Sequence, residues 1–144
     1  MNILVINGPN LNFLGIREKE IYGSADYAQL TETIRAHAAS LGVSVEIFQS
    51  HHEGAIIDRI QEAYRDSTDA IIINPGAYTH YSYAIHDALK SIGDIPRIEV
   101  HLSDIRNREP FRAVSVTAPA CAMQISGKGF DGYLEAMDLL VKGL

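Results

Sequence analysis

Glu99 and His101 stand two residues apart in the apolar run "IPRIEVHL", residues 95–102. In an extended strand such a pair shares one face. A carboxylate there fixes the imidazole's tautomer and favours its charged form, which makes a proton donor for general acid catalysis. A surface ion pair is the alternative, but a strand flanked by helices has little surface. Other polar groups cluster in two loops, "NGPNLNFLG" (7–15) and "NPGAYTHYS" (74–82). Asn7 through Asn10 read as turn chemistry. Asn12, farther from the preceding apolar run, can offer an amide to a ligand or a water. Asn74 puts an amide at the carboxyl edge of a strand, a usual ligand position. Thr79 reads as the cap of the following helix, and His80, in its first turn, is either a ligand donor or an exposed histidine. Asp87, farther along that helix, reads as a solvated face. Arg106, Arg108 and Arg112 form a local basic group in an otherwise acidic chain, and their place after a strand favours an anion. "REKEIYG" (17–23) sets Tyr22 five positions after Arg17 with neither a helical nor a strand period. By itself this stretch reads as a solvated loop.

Several other chemistries find no support. His51 and His52 are adjacent, so in an extended segment they point opposite ways, and no third ligand has metal-site spacing. Lys128 lies between two glycines, but the full phosphate-loop pattern is absent. No Gly-x-Gly-x-x-Gly follows the first strand, so neither a metal nor a dinucleotide cofactor is expected. Cys121 reads as a small hydrophobe of a core strand.

Five short apolar segments must position these groups: 3–7, 43–48, 70–74, 95–102 and 121–126. The first and third are nearly continuous aliphatic runs, as in central parallel strands covered on both faces. Helical stripes separate them: Leu30, Ile34, Ala38 and Leu41, stopped by Gly42; Ile56, Ile57, Ile60 and Tyr64; Ala84, Ile85, Ala88, Leu89 and Ile92, stopped by Gly93. A last helix carries Tyr133, Leu134, Met137, Leu140 and Val141. The polar stretch 103–114 breaks this rhythm and reads as a loop with at most a short helix. The alternation predicts an α/β fold, a doubly wound five-stranded parallel sheet between two helical layers, joined by right-handed crossovers. The common strand order, 2-1-3-4-5, puts the topological switch point at the carboxyl ends of strands one and three. The two polar loops and the end of strand four converge there.

The 144 residues suit one domain, 1–144, with 47% hydrophobic and 21% charged residues. A net charge of −6 argues against nucleic acid or an anionic membrane as partner. No apolar run is long enough to span a bilayer, and "MNILVINGPN" lacks the pattern of a signal peptide. One cysteine fits a reducing cytoplasm.

Taken together, "NGPNLNFLGIREKEIYG", "NPGAYTHYS" and "EVHLSDIRNREPFR" resemble the type II 3-dehydroquinate dehydratases, small flavodoxin-like enzymes of the shikimate and quinate pathways. The resemblance runs from Ile3 through "GKGFDGY" to the last helix. It implies anti elimination of water from 3-dehydroquinate, through an enolate, to 3-dehydroshikimate, without metal, cofactor or Schiff-base lysine. It assigns the base to Tyr22, activated by Arg17, and a water held near the enolate oxygen to Asn12. The proton donor falls on His101, oriented by Glu99. Substrate contacts fall on Asn74, His80, the backbone at Leu102 and Ser103 with the Ser103 hydroxyl, and Arg112. Asp87 matches a residue that reaches a neighbouring subunit's site, since members are trimer-based homo-oligomers, usually dodecamers of four trimers. Lys19 stands where the family usually has proline, and Met123 where many members have glycine.

Two other readings suit the same fold. A non-catalytic flavodoxin-like binding module for FMN calls for a Ser/Thr-rich phosphate loop after strand one, where "NGPNLN" stands. A receiver-like signalling domain calls for acidic residues after strand one and an aspartate ending strand three, where Asn7 and Asn74 stand.

Overall fold

The computed structural model describes residues 1–16, 19–22 and 24–144, with Lys19 and Tyr22 described by their backbone alone. Five strands are β1 (Asn2–Asn7), β2 (Ser44–Gln49), β3 (Ala70–Asn74), β4 (Arg97–His101) and β5 (Met123–Ser126). The helices are α1 (Lys19–Tyr22), α2 (Tyr27–Leu41), α3 (Glu53–Arg65), α4 (Tyr83–Ser91) and α5 (Asp131–Lys142). All strand pairs are parallel, in the order β2-β1-β3-β4-β5.

Strand periodicity sorts the core into two layers. Ile3, Val5, Ile72, Ile98 and Val100 face α2 and α5, meeting Leu30, Ile34, Tyr133 and Met137. Leu4, Ile6, Ile71 and Ile73 face α3 and α4, meeting Ile56, Ile60, Ile85 and Leu89. β1 and β3 are buried along nearly their whole length, hence their continuous aliphatic runs. β5 is a short edge strand with Met123 exposed.

The helix boundaries have local causes. Asp26 and Gln29 form a reciprocal capping box at the start of α2, and Gly42 ends it at φ +69°. α3 buries Ile56, Ile60 and Ala63, whereas Tyr64 is 68% exposed; the true stripe turns one residue earlier than the expected one. The expected cap Thr79 is a correction. Residues Gly76–His80 form a 3-10 turn, and the Ser82 hydroxyl caps α4 by accepting from Ile85 N–H at 3.0 Å. His80 therefore ends that turn and lies outside the helix. The segment 103–114 holds two more such turns, Ile105–Asn107 and Pro110–Arg112.

Two glycines let the loops after β1 and β3 interlock. A Cβ on Gly8 would sit 2.4 Å from the Pro75 carbonyl oxygen, and Gly76 adopts φ +60° against Pro9. Gly8 N–H donates to Asn74 C=O at 2.8 Å. No helix among the described residues is long and apolar enough to cross a membrane.

Candidate active site

β1 and β3 end side by side, with Asn7 in register with Asn74. Both asparagines are buried, and buried amides need partners. Tyr133, fully buried on α5, supplies one: its hydroxyl donates to Asn7 Oδ1 at 2.6 Å and accepts from Asn74 Nδ2 at 3.0 Å. Asn7 Nδ2 donates to the Tyr27 hydroxyl at 3.2 Å, and Asn74 Oδ1 accepts from Gly76 N–H at 3.1 Å. Burial pushes the Tyr133 phenol above its usual range, so it remains a donor. The Asn74 amide is thereby held in one orientation at the floor of a cavity.

That cavity opens at the carboxyl ends of β1, β3 and β4, the expected switch point. Asn74, His80, His101, Leu102 and Ser103 line it, as do Arg108 and Arg112 of the basic group, but not Arg106. Two arginines at the wall of a cleft in an acidic chain suit an anionic ligand. Arg112 lies over the Phe111 ring at 4.7 Å and donates through Nε to Glu109. His80 Nδ1–H donates to Val114 C=O at 2.8 Å. Burial, partly offset by that bond and reinforced by the charge of Arg112, holds the His80 pKa below its usual value. The neutral ring keeps Nε2 as an acceptor.

His101 Nε2 lies 2.9 Å from Glu99 Oε2. The bond turns the Nε2 proton to the carboxylate and leaves Nδ1 as the ring's other hydrogen-bonding atom. Glu99 is 0% exposed and has no cavity wall of its own. Burial pushes its pKa up, but the His101 bond and charge, with bonds from Thr117 and Gln124, outweigh it and leave the value below the ordinary carboxylate range. Gln124 Nε2 donates to Oε2 at 2.7 Å from the register position opposite on β5. Ser115 Oγ donates to Oε2 at 2.7 Å, Thr79 Oγ1 at 3.1 Å, and Thr117 Oγ1 donates to Oε1. A buried carboxylate is tolerated when its oxygens are this well supplied with donors.

Asn12 lies outside the cavity lining, in the turn Leu11–Phe13, and its buried Oδ1 has no partner among the described residues. Asp87 is exposed on α4 and does not line the cavity. Arg17 lies outside the described residues, and so does the side chain of Tyr22, whose backbone ends α1. Of the adjacent histidines, His51 buttresses a loop: its Nδ1 accepts from Asn10 N–H at 3.2 Å, and its carbonyl accepts from the Tyr78 hydroxyl at 2.7 Å. Cys121 precedes β5, and burial pushes its thiol up to about 12.

Residues 1–141 match the family model described as dehydroquinase class II. The chain belongs to the class II dehydroquinases. Among curated relatives, 3-dehydroquinate dehydratase of Lachnoclostridium phytofermentans is 64% identical over 141 residues, covering 98% of this chain and 97% of the relative. That of Lachnospira eligens is 60% identical over 141 residues, covering 98% and 96%. A crystal structure of type II dehydroquinase from Butyrivibrio crossotus superposes with a TM-score of 0.96 at 61% identity, covering 97% of each chain. One from Propionibacterium acnes gives 0.93 at 40% identity, covering 98% of this chain and 96% of that one. The cavity described above therefore lies at the carboxyl end of a class II dehydroquinase sheet.

Sequence reasoning passed over Tyr133, Ser115, Thr117 and Gln124 as polar partners of the site. Tyr133 was legible only as a member of an apolar stripe. Gln124 could have been found by aligning β5 against β4, since it falls opposite Glu99. Ser115 and Thr117 sit in a non-periodic segment and gave no signal.

Proposed function

We propose that this class II dehydroquinase removes water from 3-dehydroquinate by anti elimination, with Tyr22 as base and His101 as acid. The observation that carries the reading is the buried Glu99–His101 pair, whose imidazole opens on a cavity walled by Arg108 and Arg112. The substrate is a β-hydroxy ketone with a carboxylate. Its reaction calls for a base at the carbon beside the ketone, donors for the enolate oxygen and a proton for the departing hydroxyl.

A free phenol has a pKa near 10, so only about 0.1% is ionised at pH 7. A guanidinium at about 4 Å and an effective dielectric of ~20 supplies roughly 4 kcal/mol toward the phenolate, opposed by desolvation. Arg17 gives Tyr22 that help. The phenolate takes the proton, and the electron pair moves to the ketone oxygen as an enolate. A water held by Asn12 donates to that oxygen; the buried Asn12 Oδ1, without a partner among the described residues, suits an acceptor that fixes such a water. The enolate collapses to the enone, the carbon–oxygen bond breaks, and the hydroxyl takes a proton from His101 to leave as water. Asn74, His80 and Arg112 hold the substrate, with the Leu102 and Ser103 backbone and the Ser103 hydroxyl receiving its carboxylate. Neutral His80 offers Nε2 to a substrate hydroxyl.

Enone absorbance appears on adding 3-dehydroquinate, in the presence of a metal chelator and of borohydride. Loss of activity to borohydride with substrate present refutes the mechanism, because it would reveal a Schiff base. Tyr22→Phe nearly abolishes turnover while substrate still binds; an active variant removes the base assignment. The same reading makes the working enzyme cytoplasmic and a dodecamer of four trimers, with Asp87 reaching a neighbour's site. Asp87 is exposed on α4 beside exposed Tyr81 and Tyr83, as a contact with another copy requires. Light scattering tests the assembly, and a monomer of unimpaired activity refutes it.

A further inference from the structure

The segment after the second 3-10 turn of the 103–114 loop touches two histidines, His80 of the cavity and His86 of α4. Val114 C=O accepts from His80 Nδ1–H, and Val116 C=O lies 2.8 Å from His86 Nδ1. Val116 N–H donates to Thr79 C=O at 2.7 Å. Between these backbone anchors, the Ser115 and Thr117 hydroxyls reach Glu99, one to each carboxylate oxygen. Thr117 is 0% exposed, as is Thr79, whose hydroxyl lies 2.8 Å from Thr117 Oγ1 and 2.7 Å from Ser115 Oγ.

Hydrogen accounting fixes the direction of these bonds. Each hydroxyl has one hydrogen. Ser115 Oγ already accepts from Ala118 N–H at 3.0 Å, which leaves its own hydrogen for the carboxylate. Among the described residues, the Thr117 hydroxyl has an ionised carboxylate oxygen and the Thr79 and Ser115 hydroxyls within reach. The carboxylate is the stronger acceptor.

We infer that Thr117 and Ser115 are positioning residues for the acid step. They hold Glu99 ionised and fixed, so that Glu99 in turn holds the protonated His101 ring in its productive orientation. The inference rests on His101 being the proton donor. The ionisable groups facing this carboxylate are His101 on β4, His80 on the turn after β3 and Cys121 before β5, with Arg97 beside that cysteine. His80 and Cys121 are both held toward neutrality by burial. The charge partner of Glu99 is therefore His101.

Thr117→Val keeps the shape of the side chain and removes the donor. The Glu99 carboxylate then loses a bond that fixes its position, and the His101 ring that leans on it is less well held. The expected result is kcat lowered about tenfold, below the roughly 10²–10⁴-fold of a lost general acid, with KM little changed. Thr117→Ser restores kcat. A residue that served only packing would change thermal stability and leave kcat in place. Ser115→Ala, at a half-buried position, gives the same readout should Thr117→Val fold poorly. Wild-type kcat in both donor-less variants, or a Thr117→Ser variant as impaired as Thr117→Val, overturns the inference. His101→Ala separates the two levels. If it stays active, the reading of His101 falls and this inference with it. If it is inactive while Thr117→Val and Ser115→Ala behave as wild type, this inference alone falls.

Discussion

Tyr133→Phe removes one oxygen atom from the centre of the molecule, and the consequences can be worked from its two hydrogen bonds. The hydroxyl satisfies Asn7 Oδ1 at 2.6 Å and Asn74 Nδ2 at 3.0 Å. Asn7 is 0% exposed and Asn74 3%, so water does not readily replace it. Each orphaned buried group costs about 1–3 kcal/mol, which gives roughly 2–6 kcal/mol for the pair. The phenol's own desolvation is no longer incurred, which places the result in the lower half of that range. At a urea slope of about 2 kcal/mol per molar, the unfolding midpoint falls by roughly 1–2 M. Wild type and variant are compared at one protein concentration, because assembly would couple to stability. Tyr64→Phe, at a 68% exposed position, is the control and stays within about 0.5 kcal/mol of wild type. KM should rise as well, since Asn74 loses the partner that orients its amide against the cavity. A midpoint unchanged to within the control's scatter would refute the reasoning, because it would mean that the two amides do not depend on Tyr133.

Gly8→Ala places a methyl 2.4 Å from the Pro75 carbonyl oxygen, a backbone atom that cannot swing away. It should destabilise by about 1–3 kcal/mol and lower activity by parting the two interlocked loops. Gly54→Ala, in α3 with nothing within 4 Å of the new Cβ, should instead stabilise by about 0.5–1 kcal/mol. Paired thermal melts check both signs. Glu99 is held below the ordinary carboxylate range in the fold, so the stability it contributes is present above its unfolded pKa of about 4.3 and lost as pH falls through the lower folded value. Acid unfolding of Glu99→Gln should therefore show a shallower loss of stability below that pH than wild type, and an identical slope would contradict the assignment.

The parallel sheet was legible because burial on both faces forces continuous aliphatic runs. "ILVIN" and "AIIIN" have no other economical explanation, and they coincide with β1 and β3 to within one residue. Glu99 and His101 were legible because strand side chains repeat every second residue. The tight approach of the two polar loops was only half legible. Turn composition announced a bend at Gly8 and Gly76, but not that each glycine would meet the other loop's proline. Thr79 was misread because a threonine ahead of an apolar stripe has the local signature of a cap. Its buried hydroxyl lies instead among Glu99, Ser115 and Thr117, and Ser82 does the capping.

Local pattern thus determined which residues lie in strands and helices, which end of the sheet carries the polar loops, and which carboxylate shares a face with which imidazole. These depend on periods of two and of three to four residues, which are written in the chain itself. Only the tertiary structure decided what satisfies the buried polar groups. Tyr133 reaches Asn7 across 126 residues, and Thr117 reaches Glu99 from a segment without any period. A hydrogen bond depends on where two atoms meet once the sheet has twisted and the loops have closed, and no spacing along the sequence encodes that meeting.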